Sequence, residues 1–341
     1  MKPDMKTFAR NLASFRQMTW IAFGATFFLV AVGGVVRVTG SGLGCPDWPT
    51  CWGCWLPPSS QEVIPTQVSS DGRTYYEDKF GRKHALSEFD AAKMWIEYLN
   101  RLVGVAIGLL ILWAFLRSLR LRKTSPRHFQ GALLALLMVA FQGWLGAVVV
   151  RSELVPGIIT LHMVIAMILL CLLLALARSA REKGPDDSAE NQADPRPCLQ
   201  ARILAGAVLA QVILGTQVRE GIDPFIKDAQ GLPREAWLAE VGLFDHLHRP
   251  FSWLVLLLAL LSWKSLRRRN ADLQRAALLV VSLTLMQMAL GIILAYGGLP
   301  PTAQTLHLAG SAALICLSFH IGWPARPARA KNSLTETAPT H

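Results

Sequence analysis

Histidines recur in this chain at spacings that could hold a metal. Gln142 leads by four residues to Gly146 and by twenty to His162, and Gln287 leads by four to Gly291 and by twenty to His307. The turn between holds Pro156 in one copy and Pro300-Pro301 in the other. A second pair of segments also matches. FDHLHRPFSWL (244–254) echoes IEYLNRLVGVA (96–106), setting Asp245, His248 and Arg249 against Glu97, Asn100 and Arg101. VILGTQVREGID (212–223) likewise echoes VAVGGVVRVTGSG (30–42), with Arg219 where Arg37 stands. Neutral imidazoles projecting from facing helices are what a haem iron needs for axial ligation. Small residues follow one turn on, Ala166 after His162 and Gly310 and Ser311 after His307, which leaves space for a flat macrocycle. Arg37, Arg101, Arg219 and Arg249 fall at one depth, where propionates would need counter-charges. A single histidine at the end of an apolar segment is ordinarily an interfacial residue, and it is the repetition that lifts His162, His248 and His307 above that reading. His84, His128, His246, His320 and His341 read as loop, interfacial or tail residues.

The elements that must position these groups are membrane helices. Of 341 residues, 52% are hydrophobic and only 17% charged, and the apolar ones gather into continuous runs of the roughly 20 residues a helix needs to cross a bilayer. Eight spans are expected, near 18–38, 96–117, 130–150, 157–177, 201–219, 247–263, 275–296 and 303–322. Continuous runs, instead of alternating ones, favour helices over a barrel. The first span follows Lys2, Lys6, Arg10 and Arg16 but is too long for a signal peptide and lacks a small-residue cleavage site. Lys and Arg crowd the N-terminus (1–17), the loops at 117–128 and 264–270, the linker 178–200 and the tail 323–341. The long loops at 39–95 and 220–245 are neutral or acidic. Both termini are therefore expected in the cytoplasm, with the long loops and the histidine sites toward the outer side. This asymmetry accounts for the net charge of +11, and charges spread over five segments do not make a nucleic-acid patch. The fold expected is an all-α integral membrane protein of two four-helix halves, 18–177 and 201–322. An even number of spans per half relates them by a pseudo-twofold axis along the membrane normal.

Other residues leave more than one reading. Arg37 either snorkels to the interface or binds an anion. Glu97, Asn100, Arg101, Gly104 and Gly108 share a helical stripe, which serves either capping and packing or the wall of a ligand site. Cys45, Cys51 and Cys54 lie in the outer loop, where a disulfide is plausible. Cys45 with Cys51 is the preferred pair, and the C-x-x-C spacing of Cys51 and Cys54 competes. Trp55, not His, follows Cys54, so c-type haem attachment is excluded. Cys171, Cys198 and Cys316 read as ordinary span or cytoplasmic residues.

GGVVRVTGSGLGCPDWPTCWG, the E-Y-x-x-R block at Glu97, LGTQVREGID and the paired Q-x-x-x-G…H segments together resemble the heme A synthase family, over nearly the whole chain from about 18 to 322. The resemblance implies oxidation of the C8 methyl of haem o to a formyl group, giving haem a for cytochrome oxidase. It implies a haem b held by His248 and His307 as electron carrier, a substrate side in the first half, a requirement for Glu97, and Cys45 with Cys51 as the outer-loop pair. Haem o synthase and an electron acceptor are the protein partners it suggests. One position departs: the family pattern has a histidine where this chain has Asn100. Asparagine is a poor iron ligand, which leaves His162 as the first-half histidine and an open position opposite it. A b-type cytochrome without hydroxylase activity is the alternative. A transporter would need charged residues on broken helices at midplane.

Overall fold

The computed structural model describes residues 5–180, 196–227, 231–267 and 271–323. Most of the expected linker 178–200, nearly all of the tail 323–341, Lys2, and Arg268 and Arg269 lie outside the described residues. Eight long helices are present among the described residues: α1 (Met5–Val38), α2 (Ala91–Ser118), α3 (Pro126–Arg151), α4 (Ile158–Ser179), α5 (Arg196–Lys227), α6 (Leu243–Leu266), α7 (Ala271–Tyr296) and α8 (Pro301–Gly322). Seven of them are long and apolar enough to cross a membrane. The exception is α6, whose first two turns carry Asp245, His246, His248 and Arg249. Eight equivalent spans were expected, and α6 supplies the helix without the hydropathy because its polar residues belong to the candidate site.

Each set of four consecutive helices closes on itself. α1 packs on α2, α2 on α3, α3 on α4, and α4 returns to α1; α5, α6, α7 and α8 close in the same way, and the two sets meet through α1, α4, α5 and α8. Phe15, Ile107, Ile111 and Leu173 fill the first set, and Leu204, Val208, Val255 and Val280 the second. Fully buried alanines, Ala22, Ala135, Ala259, Ala277 and Ala312, line the seams. Small residues are needed there because lipid tails are as apolar as leucine, so helices associate through close packing. Phe28, Val105, Trp253 and Ile292 point outward, as lipid-facing residues would.

At the end where α1 begins, polar groups close the structure. His128 is buried, corrects its reading as a loop or interfacial residue, and bridges Ser125 Oγ (Nδ1, 2.7 Å) and Ser179 Oγ (Nε2, 3.2 Å). Arg178 and Arg202 donate to the last carbonyls of α8, at His320 and Gly322 (both 3.0 Å), where cations complement the helix dipole.

At the opposite end, the loop expected at 39–95 is a folded cap. A three-stranded antiparallel sheet, β1 (Gln67–Val68), β2 (Thr74–Glu77) and β3 (Lys83–Ala85), pairs Gln67 with Tyr75 and Tyr76 with His84. A disulfide joins Cys45 to Cys51. Cys54 is a free thiol paired through its main chain with Cys51. Trp52 (φ 52°) and Gly53 (φ 78°) make the tight turn between those cysteines, and the buried Trp52 ring packs on Tyr76, His84 and Phe89. Asp90 caps α2 by accepting from the N–H groups of Ala92 and Lys93, so the helix starts at Ala91, ahead of the apolar run that marks it in the sequence.

Asp78 organises the β2–β3 turn. Its carboxylate is inaccessible and accepts from Arg82 Nε (2.6 Å), the Phe80 and Arg82 N–H groups (2.8 and 3.0 Å) and His84 Nε2 (3.2 Å). Burial pushes its pKa up. The Arg82 main chain and guanidinium, the Phe80 N–H and His84 outweigh that and leave it below the ordinary carboxylate value. A depressed pKa stabilises the fold above the unfolded pKa, with loss as pH falls through the folded value. Asp78→Asn is therefore expected to cost about 1–3 kcal/mol at neutral pH. Limited proteolysis of the cap across a pH series checks this: the gap between variant and parent should narrow only in acid below about pH 4.

Candidate functional site

The three candidate histidines stand near the cap end of α4, α6 and α8. His248 and His307 face each other, with ring centroids 6.4 Å apart and planes at 66°. The Nδ1 atoms of His162, His248 and His307 are buried without hydrogen-bond partners, as is Asn100 Oδ1. A glycine on the adjacent helix makes room for each imidazole. A Cβ would lie 3.6 Å from His162 Cε1 at Gly146 (α3), 3.0 Å from His248 Cε1 at Gly215 (α5) and 4.0 Å from His307 Cε1 at Gly291 (α7). The Gly215 contact is closer than a side chain tolerates without a shift of the ring.

The Gln–Gly pairs before His162 and His307 were visible in the sequence. The pair before His248 was not singled out, although QVILG (211–215) has the same spacing. It was overlooked because no turn links it to its histidine, which is the next helix's residue after a long polar loop. On α1 the matching glycine is Gly33, which has nothing within 4 Å of its would-be Cβ, and Gly104 and Gly108 on the stripe below Asn100 are equally open.

These residues fit a haem. The enclosed nitrogen of each ring is Nδ1, so Nε2, which is not among the inaccessible atoms, is the nitrogen that would ligate iron. Among the described residues no three His, Cys, Asp or Glu converge as a cage for a bare ion; two histidines suffice where a porphyrin provides the remaining donors.

The arginines divide into two arrangements. Arg37 and Arg219, one from each four-helix set, meet on Asp223 (2.6 and 2.5 Å). Because α5 continues past the expected end of its span, Asp223 falls one turn beyond Arg219. Arg101 and Arg249 each pair with the acid four residues earlier, Glu97 and Asp245 (2.6 Å for Arg249). The two pairs then diverge. Arg249 is about half exposed. Arg101 turns into the cap and donates to the carbonyls of Asp47 (2.8 Å), Thr50 (3.1 Å) and Cys45 (3.0 Å). Glu97 is 3% exposed, and its second oxygen accepts from the Cys45 N–H at 2.9 Å. Gly44 lies against the α2 main chain, 2.5 Å from Lys93 O at its would-be Cβ. The disulfide loop is thereby seated on the first two turns of α2.

Glu220 gave no signal in the sequence beyond its neighbour Arg219. It is buried and receives hydrogen bonds from Thr160 Oγ1 (2.8 Å), Gln217 Nε2 (2.9 Å) and the Gly157 N–H (3.3 Å). Gly157 precedes α4 and no side chain of its own segment caps that helix, so a residue of the second set completes the helix that carries His162.

Arg101→Lys keeps the charge but loses the planar fork that reaches three carbonyls. The variant should lose about 1–3 kcal/mol, measured as a lower unfolding midpoint in detergent, and its Cys45–Cys51 bond should reduce faster under mild thiol treatment.

Comparison with known proteins places these features in a wider set. The sequence model of the family described as cytochrome oxidase assembly protein matches residues 16–319. Heme A synthase of Shewanella oneidensis is 26% identical over 332 residues, covering 88% of this chain and 94% of that protein. The heme A synthase of Sphingopyxis alaskensis is 28% identical over 344 residues, 93% of this chain and 94% of its own length. That of Dinoroseobacter shibae is 28% identical over 344 residues, with 89% and 85% covered.

Proposed function

The chain belongs to the cytochrome oxidase assembly protein family, and on that premise we propose that it is an oxidoreductase converting haem o to haem a. The reaction would oxidise the C8 methyl of haem o to a formyl group by successive hydroxylations. The observation that carries the reading is the pair His248 and His307, half-buried and facing each other with ring centroids 6.4 Å apart, each with Nδ1 turned into the bundle.

In this reading all eight helices cross the membrane as two pseudo-twofold-related bundles, α6 included, with both termini cytoplasmic and the cap outside. His248 and His307 would hold the iron of a resident haem b, which supplies one-electron transfer when bound. Arg219 and Arg249 provide counter-charge for its propionates. The first bundle binds the substrate: His162 offers a ligand, the open glycines near Asn100 provide room, and Arg37 answers the substrate's acidic groups. Arg101 acts by holding the cap down over this site. Glu97 is the buried carboxylate one turn before Asn100. Its oxygens are held by Arg101 and the Cys45 N–H, which keeps a proton acceptor fixed beside the substrate side. The electron acceptor and a haem o synthase that delivers substrate are the partners this chemistry requires.

Expression with a haem o synthase in a host lacking haem a, followed by chromatography of the extracted haems, tests the proposal. Haem a should appear, and Glu97→Gln should cut its yield by about 10²-fold or more while haem b is retained. Haem b without haem a would make the protein an electron carrier instead. Asn100 yields a separate expectation: spectra of the purified protein should show one bis-histidine low-spin haem and one high-spin haem, and two identical low-spin haems would contradict the open position.

A further inference from the structure

Two of the glutamines described above do more than mark a repeat. Gln142 Nε2 donates to the main-chain carbonyl of His162, and Gln211 Nε2 donates to that of His248, each at 2.9 Å. One turn along the same face of the donating helix stand Gly146 and Gly215, against which the two imidazoles lie. The His248 ring presents Cε1, Nδ1 and Nε2 to Gly215 at 3.0, 3.6 and 3.7 Å from its would-be Cβ. Each neighbouring helix therefore offers a hook for the histidine's backbone and a notch for its ring. Gln287 places its amide against the α8 main chain at Gly310, one turn beyond His307.

We propose that Gln142 and Gln211 are positioning residues, which fix the rotation of His162 and His248 relative to a bound macrocycle by holding each histidine's carbonyl while the glycine four residues on receives its ring. The inference rests on the reading of these histidines as haem ligands.

Two further observations favour it over ordinary helix packing. The Oε1 atoms of Gln142 and Gln211 are buried and unpartnered, and leaving an acceptor unsatisfied in an apolar interior costs more than one hydrogen bond to a neutral carbonyl returns. Leucine would pack there without that penalty. On α1 leucine is what occurs: Leu29 stands four residues before Gly33, on the helix that packs against the one carrying Asn100. Within this chain the glutamine side-chain hook accompanies His162 and His248, is not made by Gln287, whose amide is unpartnered, and is missing at the asparagine. Partners that orient a metal-ligating histidine through its outer hydrogen bonds typically change metal affinity by roughly 10–100-fold when removed.

The test uses the full chain purified with its haems, comparing Gln211→Met and Gln142→Met, which keep length and lose the donor. Gln211→Met should shift and broaden the low-spin electron paramagnetic resonance signal of the bis-histidine haem and raise its rate of loss to apomyoglobin by roughly tenfold or more. Gln142→Met should leave that signal unchanged and perturb the other haem. If either methionine variant fails to accumulate, Gln→Leu at the same site, which also lacks a donor, is held to the same criterion. Variants that carry haem with parental spectra and parental loss rates overturn the inference. A parent protein that carries no haem overturns the ligand reading on which it rests, which is a different result.

Discussion

A histidine inside an apolar helix bundle has two ring nitrogens to satisfy and no water to satisfy them with, and most of the cap end of this molecule follows from that. Three half-buried imidazoles stand there with Nδ1 enclosed and unpartnered. Hydrogen bonds could have been provided, as they are for His128, whose two nitrogens meet Ser125 and Ser179 at the other end of the molecule. The contrast separates a histidine that closes a structure from three whose Nδ1 the fold leaves without a partner. Glycines at the contact points and unfilled space beside Gly33, Gly104 and Gly108 continue the same logic: close packing is the main source of cohesion between helices in lipid, and it is given up where something flat must enter.

The charged residues obey the same constraint. Glu97 pairs with Arg101 and Asp245 with Arg249, each within a helical turn, Arg37 and Arg219 share the one carboxylate of Asp223 across the junction of the two sets, and Glu220 is held by neutral donors. The two sets share this scheme but use it differently. In the first, the acid and the arginine both reach into the disulfide loop, so the cap, the buried carboxylate and the helix of Asn100 form one unit. In the second, Arg249 is left half exposed. The first set is thus roofed by the folded cap, and in the second two imidazoles oppose each other.

Much of this was legible in the sequence because membrane helices are written in long apolar runs and because the chain repeats itself. Seven spans, the matched histidines and arginines, and the preferred Cys45–Cys51 pair could all be read from composition and spacing. What could not be read depended on contacts between distant segments. The cap at 39–90 is polar and aperiodic, and its order comes from Trp52, Asp78 and Arg82 meeting partners across strands. Arg101 reads from the sequence as a counter-charge for a propionate, whereas most of its partners are backbone carbonyls of the cap, which carry no sequence signal. Gln211 escaped notice because its histidine lies 37 positions away, across an irregular segment. The weak hydropathy of α6 comes from Asp245, His246, His248 and Arg249 in its first two turns, three of which line the candidate site.

The central claim is that the second helix set grips iron porphyrin between His248 and His307. The reduced-minus-oxidised visible spectrum of the purified protein, compared with that of the His248→Ala, His307→Ala double variant, tests it most directly. The account predicts a b-type haem band in the parent that is absent from the double variant while the protein stays folded and monodisperse. A colourless parent, or a double variant with its full band intact, would contradict it.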